Sequence, residues 1–482
     1  MGCLPERPET FFRLNPAAPG KPECFAVRRG QVREKLFVNF WKPHYRKNEL
    51  AIDHSHYPVT TIGQLVIERA GVKDGPGGWL ISASEYTEDG VPIVRAMNVS
   101  EEGKIAGDFV YISEDKHAEL SATEILPADL LLTMRGSIGR AAIVPDMIPT
   151  ANINAAICRI RLQDKSLNEF IRDYLNCPLG RLQAERHGHK AVQGDLNLDA
   201  IRGFRVIMPP KGIRDSLVAA LEADRARSHA KLAQAEALLS SIDDLVLAEL
   251  GLPKPKAEGR LTYAVRLDGI KARLNAEYYH PERVLAVRAM QQAKGWLKAA
   301  RLDEIADFIR DIVKVSEDDH YLGLASIESN TGEITGQDEA ATGLAFTFHK
   351  DDVLFSRLRP YLNKVRRAEE PGICSTEFHV MRIKEGLPYA VLPEYLACIL
   401  RSSPILAQTR RMMTGNTHPR LANEDVVNLV VPIPNEKAQR RIVDEVAKRK
   451  EEVRRARAEA ATGWAAALAA FEAKLIGNAG KA

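Results

Sequence analysis

Two long stretches of the chain repeat apolar positions at a helical interval. In "GIRDSLVAALEADRARSHAKLAQAEALLSSIDDLVLAEL" (212–250), Leu232, Leu239 and Val246 fall seven apart, and Leu221, Ser228, Ala235 and Ile242 form a second row. In "EKAQRRIVDEVAKRKEEVRRARAEAATGWAAALAAFEAKLIG" (436–477), Val446, Val453, Ala460 and Ala467 keep the same interval, with Ile442, Ala456 and Gly463 alternating. That pattern predicts two helices with heptad seams. Each would run roughly 60 Å at about 1.5 Å per residue, too long to bury its stripe on one small domain. The economical solution is for the two to pack on each other. Leu232, Leu239, Ile242 and Val246 would face Val446, Val453, Ala460 and Ala467, antiparallel because a whole domain separates them. "GLPKPKAEGR" (251–260) stops the first helix with Gly and Pro.

Ahead of each helix the pattern shortens to strand-length apolar runs broken by Gly, Pro and Asn, and four phrases occur twice. "KLFVNFWKPHY" (35–45) is answered by "RLNAEYYHPER" (273–283), and "VRAMNVSEEGKI" (94–105) by "GLASIESNTGEI" (323–334). "LPADLLLTMRGSIGRAAIVP" (126–145) is answered by "FHKDDVLFSRLRPYLNKVRR" (348–367), each an acid, a short apolar strand and an Arg-bearing turn. "VQGDLNLDAIRGFRVIMPPK" (192–211) is answered by "TGNTHPRLANEDVVNLVVPIPN" (414–435), a Gly-containing loop, a short helix, a β-branched strand and prolines. A period this long marks a duplicated domain rather than a solenoid. The expected fold is α+β. Two similar mixed α/β domains are each followed by a long helix, and the helices pair as an antiparallel coiled coil with pseudo-twofold symmetry. The expected divisions are an N-terminal extension (1–30), a first domain (31–211), its helix (212–250), a linker (251–260), a second domain (261–435), its helix (436–477) and a tail (478–482).

Composition narrows the class. At 482 residues the chain exceeds one ordinary core, and 45% hydrophobic with 27% charged residues suits a globular protein. No apolar run spans a membrane, and the first residues show no signal-peptide core. Met1-Gly2-Cys3 opens like a myristoylation signal, but Glu6 stands where Ser or Thr is required. Cys3, Cys24, Cys158, Cys177, Cys374 and Cys398 are scattered without metal-ligand spacing, which points to reduced thiols and a cytoplasmic protein. Net charge is only +3. Between Phe355 and Arg420, however, eleven Lys or Arg face five Asp or Glu, a candidate footprint for phosphates.

Catalytic motifs are missing. There is no GxxxxGK[ST], HExxH or GxSxG, and "MPPK" lacks the Asn or Asp an amino-methyltransferase places before its prolines. "RGSIG" reads as a hairpin turn. What remains is polar and basic residues on turns: Arg135 and Arg140; Arg186, Lys190 and Gln193; Arg357, Arg359 and Lys364; Arg410, Arg411, Asn416, Thr417, His418 and Arg420. Arg forks onto guanine, Asn and Gln onto adenine, and Lys suits phosphate, so these are the candidate DNA-binding residues. Two similar domains suit a ligand with two half-sites, as duplex DNA is. A free-standing two-half-site regulator and a repeat-domain protein-interaction scaffold are the alternatives.

The phrase "TGNTHPRLANEDVVNLVVPIPNEKAQRRIV" resembles the end of a target-recognition domain in the specificity subunits of type I restriction-modification enzymes. Gly415, Thr417, Pro419, Pro432, Pro434 and Gln439 match; Asn416, His418 and Arg420 depart. In the first copy Gly188, Gln193, Asn197, Pro209 and Pro210 match, but the helix start lacks the Gln. The resemblance covers about residues 31 to 477. It implies a non-catalytic subunit that reads a bipartite double-stranded DNA target. Two DNA methyltransferase subunits would dock on it and bring S-adenosylmethionine, so no cofactor and no metal is expected in this chain. A motor-nuclease restriction subunit is the further partner that cleavage would require.

Overall fold

The computed structural model describes residues 38–68, 71–77, 80–188, 196–256, 262–265, 270, 275–292, 298–316, 321–336, 343–415 and 419–477. The chain divides into two compact units. Unit 1 holds residues 1–229 with 460–482, and unit 2 holds 230–459. The division passes through both long helices, Lys211–Leu250 and Glu436–Ile476, so each unit owns one globular repeat and part of each helix.

In unit 1 the strand Leu130–Thr133 is buried throughout. Leu130 and Leu132 face one core, with Ile160, Phe170 and Ile171, while Leu131 faces another, with Ala142 and Ile157. That two-sided burial is why "LLLT" is a continuous apolar run rather than an alternation. Its antiparallel sheet has the order Val72–Asp74, Ile157–Ile160, Leu130–Thr133, Ala141–Ile143. In unit 2 the order Ala306–Ile309, Phe378–Ile383, Val353–Ser356, Val365–Arg367 is the same. Val353 and Phe355 again face one core and Leu354 the other. Each unit has a second four-stranded sheet containing one parallel pair, Val91–Val94 with Ala151–Ile153 and Tyr321–Leu322 with Gly372–Ser375. The copies differ at the edges. Unit 1 adds Val110–Ile112 beside the first strand of its parallel pair, whereas unit 2 adds Ile312–Lys314 beside Leu344–Phe348, at the other edge.

The duplication extends to single hydrogen bonds. The acid before the buried strand is Asp129 in one copy and Asp352 in the other. Each follows a residue in the left-handed region, Ala128 (φ 69°) and Asp351 (φ 71°). Each carboxylate accepts from the backbone three residues back and from an arginine, Arg161 or Arg382. Gln183 grips the backbone of Arg205 through both amide atoms, and Gln408 grips Val430 in the same way, with one constant offset between the copies. Asn176 donates to the Ala141 carbonyl, and Arg401 to that of Val365. The missing glutamine of the first helix start also has its substitute. Gln439 donates to the Pro434 carbonyl at 2.9 Å, and Arg214, at the corresponding position of the first copy, donates to that of Pro209 at 2.8 Å.

The long helices pair within each unit. In unit 1, Leu217 and Leu221 share a core with Trp464, Ala467, Phe471 and Leu475, and Ser228 approaches the Ala460 carbonyl at 3.5 Å. In unit 2, Val246 and Leu250 share a core with Ile442 and Val446. Ala235 packs with Val453 and Ala456, Arg449 donates to the Ser241 carbonyl, and Lys231 pairs with Glu459. Numbers rise on one helix as they fall on the other, so each pairing is antiparallel. Val246, Val446, Val453, Ala460 and Ala467 are buried as expected, and Leu239 and Ile242 are half-buried at core edges. Leu232 is a correction, at 39% exposed. It stands near Ala235, where helix meets helix with few other apolar neighbours, and such a contact buries an alanine but leaves part of a leucine in water. Gly463 is likewise exposed, and Trp464 takes the buried place. From Ile442 to Leu475 the buried face makes nine steps in 33 residues, with half-buried Arg449 filling one. That is about 3.7 residues per step, nearer the helix's own 3.6 than the 3.5 of a strict heptad.

Candidate nucleic-acid interface

In unit 2 the turn after the buried strand, Ser356 to Lys364, is fixed from several sides. Ser356 Oγ donates to the Leu358 carbonyl at 2.6 Å, and the Ser356 and Lys364 backbones close the hairpin at 3.0 Å. Pro360 opens a one-turn 3-10 helix, Pro360–Leu362, flanked by Arg359 (φ 48°) and Asn363 (φ 56°), both left-handed. Asn tolerates that conformation; Arg does so at a cost. Asn363 Nδ2 donates to the Arg401 carbonyl at 2.9 Å, and Lys364 Nζ to that of Leu324 at 2.7 Å. Tyr361 and Leu362 are exposed at the tip, 46% and 36%.

The Gly-containing loop that closes the repeat lies directly against this turn. Thr414 and Arg420 exchange backbone hydrogen bonds at 2.9 Å across the loop, with Gly415 at φ 93°. Arg359 N donates to the Pro419 carbonyl at 2.8 Å, and Leu421 N to that of Arg357 at 3.0 Å. One of these bonds has its counterpart in unit 1. There Leu196 N donates to the Met134 carbonyl at 3.2 Å, and Met134 follows its buried strand as Arg357 follows its own. The unit 1 turn is made by Gly136 and Gly139, both at positive φ. A Cβ on Gly139 would lie 2.7 Å from that of Ala184, so only glycine fits. The "RGSIG" turn does close a hairpin, Leu130–Thr133 with Ala141–Ile143.

The candidate arginines separate into two groups. Among the described residues neither Arg357 nor Arg359 has an ion-pair partner, and each Nε is buried without an acceptor. Arg135 is exposed on its turn but has an interaction of its own. The others have partners of their own, some of them at the surface, where the Arg410 and Arg420 side chains are 50% and 42% exposed. Arg186 is buried, donates to the Phe40 carbonyl at 2.9 Å, pairs with Glu49 and stacks 3.9 Å over the Phe40 ring. Arg411, its counterpart in the second copy, and the neighbouring Arg410 pair with Glu282, and Arg411 also with Glu277. In each unit these contacts fasten a late helix to the first elements of the repeat. Arg140 pairs with Glu101 at 2.7 Å, and Arg420 forks onto Glu377. Lys364 spends its ammonium on the Leu324 carbonyl. Part of the basic excess between Phe355 and Arg420 is met by acids from outside that stretch: Asp351 for Arg367, Asp352 for Arg382, Asp307 for Lys384, and Glu277 and Glu282 for Arg410 and Arg411. Lys190, Gln193, Asn416, Thr417 and His418 lie outside the described residues.

The chemistry available is donor chemistry on a rigid frame. Buried Cys158, Cys177 and Cys374 have thiols that burial pushes up to about 12, which keeps them unreactive. Burial lowers the His379 imidazole to about 4, and the positive Arg357 adds to the shift. His379 is therefore a neutral core group, held to the Leu421 carbonyl at 3.3 Å under the turn. Among the described residues no group of three or more His, Cys, Asp or Glu is placed to hold a metal ion, and no helix is long and apolar enough to cross a membrane. Sequence reasoning missed Glu377, which holds Arg420 and carries no local signal beyond its acidity, and it noted the repeated acid before each buried strand without its role, the bonds of Asp129 to Arg161 and of Asp352 to Arg382.

No family model matches the chain, and no curated protein does. Among solved structures it is similar to the S subunit of a type I restriction-modification system from M. genitalium, at 13% identity and a TM-score of 0.37, covering 88% of this chain and 95% of that one. It is similar to a chain from a study of complex assembly and conformational transition of the type I R-M system, at 14% identity and 0.42, covering 87% and 96%. It is also similar to the HsdS subunit from Thermoanaerobacter tengcongensis, at 14% identity and 0.32, covering 88% and 97%.

Proposed function

We propose that the chain is the non-catalytic specificity subunit of a type I restriction-modification enzyme. Each repeat reads one part of a split double-stranded DNA target, and two methyltransferase subunits that bring S-adenosylmethionine dock on the chain. The observation that carries this reading is the recurrence, in both repeats, of a rigid turn braced against the closing loop. On one of these turns Arg357 and Arg359 have no carboxylate partner among the described residues. A guanidinium held that way loses little freedom when it meets a base edge or a phosphate. The phrases around Gly415 and Gln439 resemble the same family.

The test is selection of duplexes from a random pool by the full chain together with its methyltransferase partners. Two short fixed blocks separated by unspecified sequence are expected. Replacing Arg357 and Arg359 with Ala should alter one block and leave the other. A single uninterrupted site, or enrichment of no sequence, would defeat the reading.

A further inference from the structure

The two repeats are most alike where they grip their backbones and most unlike at one place against the long helices. In unit 1 the first helix docks through a closed ion network. Arg225, nearly fully buried, donates to Asp173 at 2.6 Å and also pairs with Glu222. Arg172 donates to both carboxylates. Every buried cation there has a buried or half-buried anion. The corresponding positions of the second copy are Lys450 for Arg225, Cys398 for Asp173, Ala447 for Glu222 and Ala397 for Arg172. Both carboxylates have gone, and a cation remains.

A second cation has been added. Arg401 stands where unit 1 has Asn176, and it reaches the Val365 carbonyl at 2.7 Å as Asn176 reaches that of Ala141. The small side chains leave a cavity of about 440 Å³ lined by Ala397, Cys398, Val443, Val446 and Ala447 on its apolar side. Its charged lining holds the cations Arg366, Arg367, Arg401, Lys450 and Arg454 and the carboxylates Glu333, Glu369 and Glu394; Arg366 pairs with Glu369, Arg367 with Asp351 and Glu394, and Arg454 with Glu451, which leaves Arg401 and Lys450 to share Glu333. Lys450 donates to Glu333 at 3.0 Å and to the Thr331 carbonyl. Arg366 donates to the Gly332 carbonyl at 3.1 Å. Gly332 is fixed as glycine, since its φ is 72° and a Cβ would lie 2.1 Å from the Val365 carbonyl oxygen.

We propose that this cavity of unit 2 binds a small phosphate-bearing anion, which occupies the place that Asp173 and Glu222 hold in unit 1. Negative charge answers the cation that Arg401 and Lys450 hold over their shared Glu333, and a guanidinium fork beside an ammonium suits phosphate oxygens. Burial, and then the charge of Arg401, lowers the affinity of Lys450 for its proton. An anion between the two cations would oppose that shift. The cavity shares no lining residue with the turn from Ser356 to Lys364, although the Arg401 carbonyl accepts from Asn363 at the end of that turn.

The test is calorimetric titration and thermal unfolding of the full chain with inorganic phosphate, pyrophosphate and adenosine monophosphate. Chloride at matched ionic strength is the control. Saturable binding and a raised midpoint are expected beyond the chloride effect. Tighter binding of the nucleotide than of inorganic phosphate assigns the apolar wall to a nucleoside; equal binding assigns the site to the free anion. Ala447→Glu, an exposed position that restores the carboxylate of Glu222, should weaken pyrophosphate binding at least tenfold while raising the midpoint without ligand. Lys450→Met should weaken binding without restoring that carboxylate. Absence of saturable binding, unchanged affinity in Ala447→Glu, or occupancy by duplex DNA but by none of the three small anions would overturn the assignment.

Discussion

Arg359 separates stability from recognition in a way one substitution can measure. Its backbone is left-handed, φ 48° and ψ 56°, and it precedes Pro360, which further disfavours helical angles. A side chain in that region costs about 1–2 kcal/mol. Glycine adopts it freely but returns roughly 0.5–1 kcal/mol through the freedom it gains in the unfolded chain. The backbone bonds of residue 359, its N–H to Pro419 and its carbonyl from Leu362, survive the change. Arg359→Gly should therefore leave stability unchanged or improve it by up to about 1.5 kcal/mol. Recognition should move the other way. A lost bidentate contact to a base costs about 1–3 kcal/mol of discrimination, a factor of about 5 to 150. Urea unfolding gives the first quantity, and competition between the selected duplex and its single-base variants gives the second. A variant destabilised by more than about 1 kcal/mol would show that the guanidinium holds the fold. Unchanged discrimination would remove Arg359 from the reading surface.

Two further outcomes follow from burial. Ala235, 1% exposed against Val453 and Ala456, should not accept Leu: overpacking costs about 1–3 kcal/mol, whereas Leu232→Gln on the same helix should stay within about 0.5 kcal/mol, both read from denaturant midpoints. His379 titrates at about 4 when folded against 6.5 for the ordinary value, so the unfolded chain binds the extra proton first. Stability should be full above about pH 6.5 and fall as pH drops toward 4, and His379→Phe should flatten that slope in a pH series of thermal midpoints.

The parts of this fold that were legible are those where local chemistry decides. The all-apolar "LLLT" and "VLFS" runs announce strands buried on both faces, and the proline-rich phrases mark where each long helix starts. The duplication was legible because the same turn residues recur in the same order. The arginines were not. Arg411 pairs with Glu282, 129 residues away, and Arg186 with Glu49, 137 away, so nothing near either arginine tells an engaged guanidinium from an open one. The seam of the helices was legible in its residues but not in its period. Heptad spacing and a step of about 3.7 residues place the first few positions alike and part company only after several turns, at Gly463 and Trp464.

The glutamine that one copy keeps and the other lacks shows what duplication permits. Gln439 is fully buried and works in both directions. It donates to the carbonyls of Ala390 and Pro434, and its Oε1 accepts from Leu392 N at 2.9 Å. Arginine can donate but cannot accept. Arg214 is nonetheless sufficient in unit 1, because the N–H corresponding to that of Leu392 belongs to Leu167, which donates to the Asp164 carbonyl within its own turn. The acceptor is needed in one copy only, so the two exchanges should be unequal. Gln439→Arg leaves a part-buried N–H without its acceptor, about 1–3 kcal/mol, and adds a buried charge with no carboxylate given to it, for a total above about 3 kcal/mol. Arg214→Gln can remake the bond to the Pro209 carbonyl and should cost less than about 1 kcal/mol, since half-exposed Arg214 gives up one charge-assisted bond for a neutral one. Urea midpoints of the two variants decide it. Equal losses would mean that the residues serve only to start their helices, and that the accepting oxygen of Gln439 is incidental.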